Sequence, residues 1–247
     1  MFRIFWLGVG CLGTFYSLAQ DDRALTSTDR PGFGDGTAIM APGGIQLEAG
    51  ATHTDIEDVE VTNFGELLFR IGISRWFELR VLANSYVELG DPFDESGLED
   101  SGLGFKVGIL AGDDEPMGKP SLSFIGGVSL ETGDEPFTTD DTVVSGALAW
   151  SWQLAENLGH AAYLGVEEVD DEHLTTFSTS LAFDWIGAGW SVGYGGFFAD
   201  EGDDAHFVEA NAAIGINPRN QIDINAGVGL NSDNDGFFVG AGYAYRF

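Results

Sequence analysis

From Gly43 to the C-terminus, apolar side chains recur at every second position in segments near ten residues long. In the last segment Phe237, Val239, Ala241, Tyr243, Tyr245 and Phe247 share one face, and Phe238, Gly240, Gly242, Ala244 and Arg246 share the other. The segment before it sets Ile222, Ile224, Ala226, Val228 and Leu230 against Gln221, Asp223, Asn225, Gly227 and Gly229. A period of two is the repeat of a β-strand, whose successive side chains point to opposite faces. The same reading gives strands over about 43–54, 62–73, 77–89, 101–112, 120–132, 142–154, 158–168, 174–186, 189–199, 205–216, 221–230 and 237–247, about twelve in all.

A water-soluble barrel turns its apolar face inward and carries Lys, Glu and Thr outside. Here the second face holds Gly, Ala, Ser and scattered ionisable groups, the inverted arrangement of a transmembrane barrel. The segments also have the length of a tilted bilayer crossing, ~9–11 residues. Alternate connections are acidic, among them Asp55-Ile56-Glu57-Asp58, the 90–100 stretch, Gly133 to Asp141, Asp170-Asp171-Glu172, 200–204 and Asp233-Asn234-Asp235. The intervening ones are mostly tight, such as Ser74-Arg75, Glu156-Asn157, Gly187-Ala188 and Pro218-Arg219; the exception spans 112–119. Trp76, Trp150, Trp152, Trp185 and Trp190 all fall close to short turns, and Tyr243, Tyr245 and Phe247 end the last strand; these are expected membrane-interface aromatics, since an aromatic ring suits the headgroup level. Lys and Arg avoid the acidic connections. The expected fold is therefore all-β: an antiparallel up-and-down barrel in the outer membrane of a Gram-negative cell. Its short turns would be periplasmic and its acidic loops extracellular.

Composition sharpens this picture. Forty Asp and Glu against ten Lys and Arg leave a formal charge of −30, which repels phosphate backbones and argues against nucleic-acid binding. An acidic outer mouth should instead concentrate cations. Hydrophobic residues at 44% and aromatics at 13%, regularly patterned, argue against disorder. The N-terminus reads as a signal peptide over 1–19, with Arg3, an apolar run from Ile4 to about Tyr16, and Ser17-Leu18-Ala19 before the cut. Cys11 lies in that run, so the exported chain would hold no disulfide or thiolate site. Residues 20–42, Gly-rich and carrying Arg30, are either a periplasmic lead-in or a partial plug, with the barrel over 43–247.

The chain also resembles the outer-membrane transporter family named for the MetA pathway of phenol degradation. The resemblance rests on Thr28-Asp29-Arg30-Pro31-Gly32, on Pro42-Gly43-Gly44 leading into Gln46-Leu47-Glu48-Ala49-Gly50, and on Glu66-Leu67-Leu68-Phe69-Arg70-Ile71-Gly72-Ile73 followed by Phe77-Glu78-Leu79-Arg80. It continues through Gly102-Leu103-Gly104-Phe105-Lys106, Ser129-Leu130-Glu131-Thr132-Gly133, Gly227-Val228-Gly229-Leu230-Asn231 and the strand from Gly236. Glu131 stands where that family often has Pro. The resemblance implies a channel or transporter-like barrel for small solutes, aromatic or hydrophobic ones among them. The final strand also resembles the signal read by the barrel-insertion machinery.

Charged candidates for the inner face are Glu48, Glu66, Glu78, Glu131, Glu167, Asp184, Glu209 and Asp223, set against Arg70, Arg80, Lys106 and Arg246. They either brace one another, since buried ions need partners, or line a solute path. Twelve strands ~4.8 Å apart and tilted ~40° give a backbone diameter of roughly 24 Å, wide enough for both. His53, His160, His173 and His206 are the candidates for general-base work. None sits in a recognisable hydrolase motif, so the chain reads as a non-enzyme, with a membrane-embedded hydrolase as the remote alternative. A surface-binding barrel without an open pore is the nearer one. No cofactor or metal is implied; the acidic loops lack a complete calcium-binding pattern.

Overall fold

A computed structural model describes residues 27–247 except 31, 57–58, 140, 170–171, 200–203 and 232–234. The expected leader, with Cys11, and much of the acidic connections at 170–172, 200–204 and 233–235 lie outside the described residues. The strands are β1 (Ile45–Ile56), β2 (Val59–Ser74), β3 (Phe77–Ala83), β4 (Tyr86–Leu89), β5 (Ser96–Leu98), β6 (Ser101–Leu110) and β7 (Ser121–Leu130). They continue as β8 (Val144–Ala155), β9 (Leu158–Val169), β10 (Glu172–Trp185), β11 (Ala188–Ala199), β12 (Ala205–Asn217), β13 (Asn220–Gly229) and β14 (Gly236–Arg246).

Every neighbouring pair is antiparallel, and β1 bonds to both β14 and β2, which closes a ring of twelve strands with β4 and β5 outside it. Closure leaves no unpaired edge in the lipid, where an unsatisfied backbone group is costly. The inversion is plain on β13: Gln221, Asp223 and Asn225 are 0%, 2% and 5% exposed, whereas Ile222, Ile224 and Val228 are 44%, 60% and 52% exposed. Apolar side chains meet the bilayer and polar ones are enclosed. This is the architecture of a bacterial outer-membrane barrel.

The turn end carries Trp76, the neighbouring pair Trp185 and Trp190 (centroids 6.0 Å apart, rings tilted by 58°), and Tyr245 packed on Phe247. Trp152 donates its indole N–H to the carbonyl of Gly118 in the 111–120 connection, while Trp150 shares its outward face. Tyr243 donates to Asn220 beside the last turn. Among the described residues every Lys and Arg lies at this end or inside the barrel.

One expected strand divides. Residues 77–89 form β3 and β4 with a break at Asn84 and Ser85. The Asn84 amide donates to the Glu99 carbonyl and the Ser85 carbonyl accepts from Glu99 N at 2.8 Å, so local bonds replace the ladder there. β4 and β5 thus form a small hairpin hung on the upper part of β2. The 131–143 connection packs against it, with Phe137 buried on Val87 and Leu89.

Asp100 ties this cap together. Its carboxylate accepts from the amides of Thr132, Gly133 and Thr139 and from the hydroxyls of Thr138 and Thr139, at 2.8–3.0 Å. Burial works against its ionisation, but these donors hold its pKa below the ordinary carboxylate value. Neighbouring Glu99 has fewer donors; burial, opposed by Ser85 and reinforced by Glu66 and Asp100, pushes it up to about 7. Ionised Glu99 therefore disfavours the packed cap. The cap's contribution is complete below the ordinary value of 4.5 and falls away as pH rises through about 7. Hydrogen-exchange protection of 131–139, corrected for intrinsic rates, should drop between pH 5 and pH 8. Glu99→Gln should hold that protection level; a pH profile identical to the parent would remove Glu99 from the cap's energetics.

Candidate functional site

The described residues between 27 and 40 run inside the barrel. The segment enters at the turn end, where Ser27 meets Gln46 and Arg70, and climbs to Phe33. It then returns to Gly43 and Gly44, which exchange backbone hydrogen bonds with Gly72 at 2.8 and 2.9 Å. Thr28, Asp29, Arg30, Phe33, Thr37 and Met40 are all nearly or fully buried.

Asp29 is the lower anchor. Lys106 Nζ lies 2.8 Å from both of its carboxylate oxygens, Arg80 Nη1 3.0 Å and Arg70 Nε 3.4 Å from Oδ2. Gly36 N donates to Oδ1 at 3.0 Å, which folds the segment back on itself. Strand register explains the convergence: Arg70 pairs with Arg80, and Glu78 with Lys106, across β2, β3 and β6. The cations are braced from behind. Arg70 also bonds Glu78 at 3.0 Å and Glu48 at 3.2 Å, and Arg80 bonds Asp35 of the segment at 2.9 Å.

The next residue points to the opposite charge. Arg30 pairs with Glu66 and, at 3.6 Å, with Asp223. It lies in a slot floored by Gly50 and Gly242, which face each other across β1 and β14. A Cβ on Gly50 would stand 2.2 Å from Arg30 Cζ, and one on Gly242 2.4 Å from Arg30 Nε, so any larger residue would evict the guanidinium. Glu66 reaches it from a bulge at Gly65 and Glu66, both with positive φ (100° and 40°).

Phe33 is the upper anchor, packed on Phe197, Phe207 and Phe238 at centroid distances of 5.3–5.6 Å, with Leu174 beside them. Its backbone is held as well, by Ser178 Oγ donating to its carbonyl at 2.8 Å and by its amide donating to Glu209 Oε1 at 3.4 Å. Between the anchors, Thr37 bonds Ser151 at 2.6 Å and Ser123 at 2.7 Å, and Met40 N donates to Glu78 at 2.7 Å. Beside the segment, a cavity of about 50 Å³ lined by Ser145, Tyr163, Glu167 and Thr176 has room for a few waters.

The charged candidates separate into groups. Glu48, Glu66, Arg70, Glu78, Arg80, Lys106, Glu209 and Asp223 surround the inner segment. Glu167 faces the small cavity, and Arg246 bonds Gln46 near the turn end. Asp184 is exposed one residue before β10 ends. Glu131 is also exposed, because β7 stops at Leu130 and the following residue has left the inner face. Period alone overran the strand end there. Alternation does not reveal the roles of Asp29, Asp35 and Phe33, since nothing periodic marks a segment that crosses a bore.

His53, His160 and His206 lie on the outward face, bonded to Thr62, Thr179 and Tyr194 at 2.9, 3.0 and 2.5 Å, while His173 is exposed near the loop end. Among the described residues no group of three or more His, Cys, Asp or Glu is placed to hold a metal ion.

A family model with the description "Putative MetA-pathway of phenol degradation" matches residues 28–247. The structure is similar to the COG4313 outer membrane channel from Pseudomonas putida F1, with TM-score 0.63 and 13% identity over 85% of this chain and 97% of that one. It is also similar to the NanC porin (0.56, 8%, 81% and 98%) and the KdgM porin (0.53, 11%, 82% and 99%). At such identities the likeness is one of fold. No curated protein matches the sequence.

Proposed function

The chain belongs to the family described as "Putative MetA-pathway of phenol degradation", and on that footing we propose that it is an outer-membrane channel for small solutes, shut by residues 27–44. The observation that carries this reading is how the bore is filled. A wall meant only to be filled would close on apolar side chains; this one, below the Phe197, Phe207 and Phe238 cluster, is lined largely by Ser, Gly, Ala, Asn and charged groups. Its contents are a separate strap held mainly by ion pairs and hydrogen bonds. Such contacts can be exchanged for water or solute as the strap leaves. The acidic loop end favours cations at the entrance, so open-state current should be carried mainly by them.

A reversible lock tests the gate. Thr37 and Ser151 hydroxyls are 2.6 Å apart, so the double variant Thr37→Cys, Ser151→Cys should form a disulfide between strap and β8. In a planar bilayer, with Asp29→Ala added to release the strap, the oxidised protein should be silent and the reduced protein should open. Equal conductance in both states would sink the strap as a gate. The filled bore also favours a second reading, a closed barrel that works through its outer cap. Under that reading no variant that loosens the strap conducts at all.

A further inference from the structure

Consecutive residues of the strap carry opposite charges into opposite surroundings, and each surrounding is built for its charge. Asp29 puts its carboxylate among Lys106, Arg80 and Arg70 at 2.8–3.4 Å. Arg30 puts its guanidinium between Glu66 and Asp223 across the glycine slot.

With the strap withdrawn, Arg70, Arg80 and Lys106 face only Glu48 and Glu78, three positive charges against two negative. On the other flank Glu66 and Asp223 lose Arg30 and Glu209 loses the Phe33 amide, and three negative charges are left. The same flank holds buried polar atoms without a hydrogen-bond partner among the described residues: Glu209 Oε2, Asn211 Oδ1 and both amide atoms of Asn225. Their side chains stand on neighbouring strands, Asn211 opposite Asn225 and Glu209 opposite Gly227, and the three residues are 1%, 2% and 5% exposed in the order Glu209, Asn211, Asn225. Oxygens in that state call for a donor.

We propose that Asp29 and Arg30 are a tethered stand-in for the solute, and that the bore prefers a small dipolar molecule with a carboxylate at one end and an ammonium-like, donor-rich head at the other. The carboxylate takes the place of Asp29 on Arg70, Arg80 and Lys106. The head takes the place of Arg30 beside Glu66 and Asp223 and reaches Glu209 and Asn225. Binding of such a solute competes directly with the strap and so favours opening. The acidic mouth points the same way. It repels a net anion, whereas a dipolar solute of zero net charge passes it. An aromatic ring between the charges is compatible with the family's association with phenol degradation, and the inference rests on the channel reading.

The test uses the full exported chain in proteoliposomes and tracer uptake of four probes. These are 4-(aminomethyl)benzoate, its single-charge relatives 4-(hydroxymethyl)benzoate and 4-(aminomethyl)benzamide, and neutral arabinose, each corrected for protein-free vesicles. The dipolar probe should enter about tenfold faster than either single-charge relative. Arg80→Gln should erase its advantage over the cation, and Asp223→Asn its advantage over the anion. These are ratios within one preparation, so the folded fraction cancels. Entry of all four probes at comparable rates would leave the channel intact and overturn the dipolar preference. If even arabinose fails to enter through Asp29→Asn, the channel reading itself falls, and the preference falls with it.

Discussion

Asp29→Ala should turn a silent barrel into a conducting one. The substitution removes the single carboxylate on which Lys106, Arg80 and Arg70 converge and leaves three buried cations with only the carboxylates that brace Arg70 and Arg80 to offset them. Breaking a buried pair by deleting one partner costs about 3–5 kcal/mol. Charged to the docked strap, that is a factor of roughly a hundred or more in its population. Single-channel recording in a planar bilayer should therefore show long openings that the parent lacks. Lys106→Met in the same protein should restore part of the closed population, because one of the stranded cations is gone. A double variant that conducts like the single one would mean that the strap is held elsewhere. Raised salt should imitate Asp29→Ala poorly, since buried pairs are screened far less than exposed ones.

Phe33→Ala should open the other end of the strap. Its ring stands against Phe197, Phe207, Phe238 and Leu174, and truncating a buried Phe costs about 3–5 kcal/mol. The backbone bonds from Ser178 and to Glu209 do not depend on the ring and survive the change. The lower anchor at Asp29 also survives. Brief, flickering openings should follow, insensitive to salt, with heat resistance of the folded barrel on gels near that of the parent. Phe33→Leu should flicker less, because most of the apolar volume remains. Sustained openings equal to those of Asp29→Ala would show that the two anchors release together.

Alternation placed Gln221, Asp223 and Asn225 on one face and Ile222, Ile224 and Val228 on the other, and burial divides them in the same way. The same rule overran at Glu131 and missed the break at Asn84. Strand ends and breaks depend on bonds to distant segments, such as Asn84 to Glu99 and Asp134 to Leu98. Periodicity carries no term for such partners.

The amino-acid order alone determined that this chain forms strands, which face of each is greasy, and that the greasy face must meet lipid. A two-residue repeat is set by backbone geometry within each strand and needs no partner to be read. Ring closure, and the assembly inside the ring, belong to the tertiary structure. Asp29 meets Lys106 across 77 positions and Phe33 meets Glu209 across 176. Nothing local selects those partners. They are chosen by which side chains the closed barrel aims at its axis, and by the high cost of leaving any of those charges buried without an opposite.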